Sequence, residues 1–187
     1  MDILLLENAD TIRKQFEEHF VQSWEVFQVT HQKWIAEMAQ VNYPIDFRWY
    51  QNSLMWDKMG PNLPWTTFSK ALSLLRQQPG NVLILSEGNN HPYPGTILHK
   101  GEKISNFVAQ VDAKELADLM EQEWVDSFVL PTQNMYNPNP ILPEDIYVFD
   151  ESMRWFIVFT HEATDLNAQF EDPLKAAESR YCIFYGL

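Results

Sequence analysis

Cysteine, glycine and positive charge are all scarce in this chain, and each shortage removes a class of protein. A single cysteine, Cys182, among 187 residues leaves no partner for an intrachain disulfide. It sits in RYCIFYG between Tyr181 and Ile183, where an apolar strand makes a buried, inert thiol the expectation rather than a nucleophile. Six glycines leave little material for a phosphate cradle, and neither a P-loop nor a GxGxxG run occurs. Thirteen Lys and Arg face twenty-six Asp and Glu, a net charge of −13. Such a surface repels nucleic-acid phosphates and anionic membranes, so neither is expected as a direct partner. No apolar run approaches the roughly eighteen residues of a membrane span. The start, MDILLLENAD, has too short an apolar run and no basic opening for a signal peptide, so the expected location is cytoplasmic.

What the chain does have is core material. Hydrophobic residues make up 45% and aromatic residues 14%, which excludes a disordered solvating segment and suits one folded domain over 1–187. Residues 1–78 read as mainly helical and 79–187 as sheet-forming. In the first part, Ile12, Phe16, Phe20, Trp24, Phe27, His31, Trp34, Ile35 and Met38 fall on one helical face after a possible cap at Asp10. This predicts one long helix over residues 11–39, or two broken near Val29-Thr30, with His31 as a packed ring. Tyr43-Pro44 ends it. Phe47 to Trp65 reads as a short helix and a loop, and Phe68, Ala71, Leu72 and Leu75 mark a further helix stopped by Pro79-Gly80.

The second part alternates strand and helix signals. NVLILSE, TILHK and NFVAQV read as strands, and Asp112 with Glu115 caps a helix whose buried stripe is Ala113, Leu116, Ala117, Met120 and Trp124. A proline-rich loop follows. Ile146 to Phe149 and Trp155 to Phe159 are then two apolar runs joined by Asp150 to Arg154, a hairpin with both faces covered, and RYCIFYG closes the chain. The class is α+β: N-terminal helices packed on a mostly antiparallel sheet with a C-terminal hairpin and a final strand.

Catalytic patterns are weak. His161 opens HEATD, which lacks the second histidine of the zinc-protease motif, and the preceding residues read as strand rather than helix. Ser86 follows a strand without the GxSxG turn. No metal or other cofactor is expected, and His161 and Glu162 read as a strand end at the surface. A carboxylate pair drawn from distant parts of the chain stays open.

Charge is more informative. Residues 1–111 carry a net −2, and residues 112–187 a net −11. The excess gathers on the outer side of the Asp112 helix and around the terminal hairpin. Asp118, Glu121, Glu123, Asp126, Asp150 and Glu151 are therefore the candidate protein-binding residues, steering a basic protein into contact. Trp124, or Tyr136 with Tyr147, are candidate aromatic anchors beside them.

The stretch DIYVFDESMRWFIVFTHE, with the late RYCIFYG strand, resembles the closing region of small acidic bacterial proteins, largely uncharacterised, some of which act as immunity partners of secreted toxins. The resemblance covers the last third of the chain and transfers no catalytic residue. It implies a single-domain α+β protein that binds another protein. The expected function is a non-enzymatic binding protein, an immunity-type inhibitor of a cationic toxin. The alternatives are a metal-dependent or carboxylate-based hydrolase using His161 or His91, and an assembly subunit using the helix at residues 11–39.

Overall fold

A computed structural model describes residues 1–87, 95–129, 141–163 and 178–187, the side chains of 124–129 and 163 excepted. His91, Tyr136 and Asp165 thus lie outside the described residues, as do the side chains of Trp124 and Asp126. The fold is α+β, built on a seven-stranded sheet in the order β1-β6-β3-β7-β8-β9-β2. Its strands are β1 (Leu4–Leu5), β2 (Trp65–Thr67), β3 (Asn81–Leu85), β6 (Val108–Asp112), β7 (Ile146–Phe149), β8 (Phe156–Ala163) and β9 (Arg180–Tyr185). Every pairing in it is antiparallel. A separate hairpin, β4 (Thr96–His99) with β5 (Glu102–Ser105), follows β3.

The hairpin read from the sequence is β7–β8, and it lies at the centre of the sheet between β3 and β9. All four residues of β7 are buried, because helices cover both faces. Leu83, Leu85, Val108, Tyr147, Phe149, Phe156 and Val158 pack with Phe16 of α1 (Ala9–Phe20). On the opposite face, Val82, Ile84, Ala109, Val111, Val148, Ile157 and Phe159 meet α5 (Phe68–Arg76) and α6 (Ala113–Val129). Alternation along each strand assigns neighbours to opposite layers. Burying a side chain such as Leu72 or Leu75 contributes about 1.5–3 kcal/mol each.

The helical part differs from the expectation in two ways. The long stripe breaks after Thr30, as one of the two readings had it, and also between Phe20 and Trp24, giving α1, α2 (Trp24–Thr30) and α3 (Gln32–Gln40). Ser23 adopts an extended backbone, and its Oγ accepts the Val26 N–H, starting a new helix. Thr30 Oγ bonds back to the Val26 carbonyl at 3.0 Å, a contact that loosens a helix end. The cap of α1 is Asn8, not Asp10. Residues 1–78 also supply both edge strands of the sheet, β1 and β2, which are too short to be read from periodicity.

The stripe residues of α2 and α3 close on α4 (Phe47–Asn52) rather than on the sheet. Phe27 is fully buried and has the ring of His31 stacked on it at 4.2 Å and that of Trp49 at 5.9 Å. Trp34 meets Trp49 edge-on at 5.4 Å. His31 is thus packed, as read. This aromatic arm stands beside one end of the sheet.

Candidate functional site

Where the arm meets the sheet there is a cavity of about 690 Å³, within the range of small-ligand sites. The sheet contributes one end of its three central strands: Glu87 just past β3, Glu144 and Asp145 just before β7, and His161 near the end of β8. The arm contributes Tyr43 and Trp49. Between them, the 3-10 turn Trp56–Lys58 presents Asp57. Asp57, Glu87, Glu144 and Asp145 share the lining with one imidazole, that of His161, and no Lys or Arg is among the described lining residues.

Each acidic group is held by identifiable donors. Glu87, only 4% exposed, accepts the Met55 N–H at 2.9 Å and the Tyr147 hydroxyl. The same hydroxyl oxygen accepts the Trp56 N–H at 3.1 Å. Glu87 and Tyr147 therefore tie the turn carrying Asp57 to the sheet. Burial, opposed by a hydrogen bond from the Leu54 N–H and reinforced by Glu162 and Glu87, pushes the Asp57 carboxyl up to about 6. Burial, with Glu87 beside it, raises the Tyr147 phenol well above its ordinary value.

Asp145 clamps His161 across the strands. Its Oδ1 accepts the His161 backbone N–H at 3.0 Å, and its Oδ2 lies 2.9 Å from Nδ1. The hydrogen bond to Asp145 raises the imidazole's pKa against partial desolvation. With Nδ1 engaged, Nε2 is the ring nitrogen left for a ligand. A strand irregularity between Phe159 and Ala163 accompanies this placement at the end of β8. Arg180, buried beneath, donates to the carbonyls of Thr160 and Glu144 and so holds the cavity wall.

Of the six residues expected to form one acidic face, the five whose side chains are described are distributed differently. Asp118 and Glu121 project from α6, and both bind Arg76 of α5, at 2.9 and 2.5 Å. Asp150 sits in the β7–β8 turn, where it accepts the backbone N–H groups of Arg154 at 2.8 Å and Trp155 at 3.3 Å. Glu151, in the same turn, accepts from Gln110 at 3.1 Å, and Gln110 is in register with Leu83 of the α1 core layer. The turn and the α6 pair therefore lie against opposite helical layers.

Glu123 has a different role. Its carboxylate accepts the N–H groups of Ile141 at 2.6 Å and Leu142 at 3.1 Å, ordering the segment that leads into Glu144 and Asp145. Tyr147, expected as an exposed anchor, is fully buried instead, because its ring faces α1 and its hydroxyl is used internally.

Of the residues singled out from sequence, His161 lies in the cavity and Glu123 supports its wall. Asp57, Glu87, Glu144, Asp145, Tyr43 and Trp49 were missed. The one local signal that could have found them is Asp145 standing directly before a buried strand. Among the described residues, no three His, Cys, Asp or Glu side chains come together as a metal site, and no helix is long and apolar enough to cross a membrane. Comparison with protein-family models, curated proteins and solved structures gave no match.

Proposed function

We propose that this protein binds a basic partner protein, as an immunity-type inhibitor of a cationic toxin does, and that the cavity at the end of the sheet is where it holds that partner. The observation that carries this reading is the cavity itself, with four carboxylates against one imidazole in its lining. A concave acidic site focuses the field of a chain with net charge −13 and speeds the approach of a cationic surface. The α6 carboxylates Asp118 and Glu121 would extend that field, although Arg76 already neutralises part of it.

The test is capture of partners from native lysate by tagged protein at low and high salt. Glu144→Lys and the pair Asp118→Lys, Glu121→Lys serve as comparison variants. The expected result is one basic protein retained at low salt, released by high salt, and lost with Glu144→Lys. Retention that survives Glu144→Lys but fails with the α6 pair would move the interface to the helix face first read from the sequence.

The Asp145–His161 pair favours a second reading, a carboxylate- and imidazole-based hydrolase. A carboxylate that orients an imidazole with its second nitrogen towards a cavity is the arrangement general-base chemistry uses. Turnover of neutral or cationic esters and glycosides, abolished by His161→Ala, would establish it. Absence of turnover across such a panel would leave the binding reading alone.

A further inference from the structure

The walls of the cavity differ in kind. On the sheet side stand carboxylates, and on the arm side stand the rings of Tyr43 and Trp49. Tyr43 is 54% exposed, so its ring is not used up by the aromatic core of the arm. The carboxylates come from separate elements: Asp57 from the 3-10 turn, Glu144 from the segment before β7. They therefore stand around a volume instead of along one line. The arm already shows how its rings meet a cation, since the Lys58 ammonium lies 5.3 Å from the Tyr50 ring centre.

We propose that the cavity recognises the guanidinium of an arginine side chain, with Asp57 and Glu144 as its charge partners and Tyr43 and Trp49 as its stacking wall. This rests on the reading that the cavity holds a basic partner, and it names the group that enters. Three properties of the lining separate arginine from other candidates. Phosphate esters and carboxylates meet four carboxylates there against a single imidazole. An ammonium also sits over a ring, as that of Lys58 does over Tyr50, but it is compact and strongly hydrated and has neither a planar face to stack nor a fixed fork of donors. A guanidinium is planar, weakly hydrated and presents five N–H donors in several directions, so it can stack on a ring while donating to carboxylates on different walls. A cavity of about 690 Å³ also admits the backbone flanking such a residue.

The experiment is calorimetric titration of the full chain with three capped amino acids: N-acetyl arginine amide, its lysine counterpart, and its citrulline counterpart, which is nearly isosteric with arginine but uncharged. The expected result is saturable binding of the arginine compound, about tenfold weaker binding of lysine, and none of citrulline. Asp57→Asn and Tyr43→Ala should each weaken the arginine compound by about tenfold, whereas Glu102→Lys on the exposed hairpin strand β5 should leave it unchanged. Tyr43 is exposed enough to be truncated without unfolding the chain, and circular dichroism of each variant checks that. Equal binding of lysine and arginine, binding of citrulline, or no binding of any probe would each overturn the proposal. The two readings fail separately. Capture of a basic protein that depends on Glu144, without probe binding, sinks the arginine assignment alone. Probe binding without any captured protein sinks the partner reading alone.

Discussion

Asp145 grips His161 through both the main chain and the ring, at 3.0 Å to the backbone nitrogen and 2.9 Å to Nδ1. One carboxylate thereby ties the start of β7 to the end of β8 and engages Nδ1 of the imidazole, leaving Nε2 as the nitrogen it does not hold. Because Asp145 raises the imidazole's pKa, the pair favours the protonated ring. Its stabilising contribution is full below the ordinary histidine pKa and fades as pH rises through the raised value. Asp145→Asn should lower the His161 pKa, read from its ring proton shifts in NMR. The loss of thermal stability should be larger near pH 6 than near pH 9. A His161 titration unchanged by the substitution would show that the contact is not maintained in solution.

Asp57 makes the opposite contribution. A carboxyl raised from 3.8 to about 6 by burial holds its proton more tightly in the folded chain than in the unfolded one. Its cost to stability is therefore absent below the ordinary value of 3.8, grows as pH rises from there to about 6, and is full above that. The charges around it are Glu162 and Glu87, which oppose its ionisation, and Lys58, which favours it. Asp57→Asn keeps an oxygen for the Leu54 N–H and removes the charge. The variant should melt higher than the native chain near pH 7.5 and at about the same temperature near pH 3. Equal melting at both would mean that the carboxyl is not desolvated. A stabilising substitution that also weakens cationic ligands is the trade expected of a binding residue.

Tyr147→Phe removes the hydroxyl that donates to Glu87 and accepts from Trp56. Two buried groups then lose a partner, one of them a carboxylate, so the cost should be about 1–3 kcal/mol in urea unfolding with an unchanged slope. A loss below about 0.5 kcal/mol would mean that water takes the place of the hydroxyl.

Cys182 is fully buried in β9, and burial pushes its thiol up to about 12. A thiol so rarely ionised at neutral pH should resist alkylation in the native chain and react promptly once urea unfolds it. Rapid native labelling would show that β9 opens locally.

Arginine 76 illustrates why the acidic face was legible only in part. Asp118 and Glu121 occur at helical spacing and do lie on one exposed side of α6, as read. Their engagement with Arg76 joins residues from two helices, and no local pattern announces a partner so distant in the chain. Asp150 looked like surface charge in the sequence and serves as the clasp of a turn. The break at Ser23 was missed because the apolar stripe runs through it at the right angles, and periodicity alone does not report where a backbone changes direction.

The sequence by itself determined the α+β class, the central β7–β8 hairpin, the cap of α6 at Asp112, and the excess negative charge. These follow from local rules, since unbroken apolar runs require covered strands and caps act within a single turn. Tertiary structure alone decided that two helical layers enclose the sheet and that the aromatic stripe folds onto itself as an arm. It also decided that Asp57, Glu87, Asp145 and His161 meet at one cavity. The reason is physical. A carboxyl's affinity for its proton and a ring's availability to a ligand depend on which distant groups exclude water from them, and those neighbours exist only once the chain has packed.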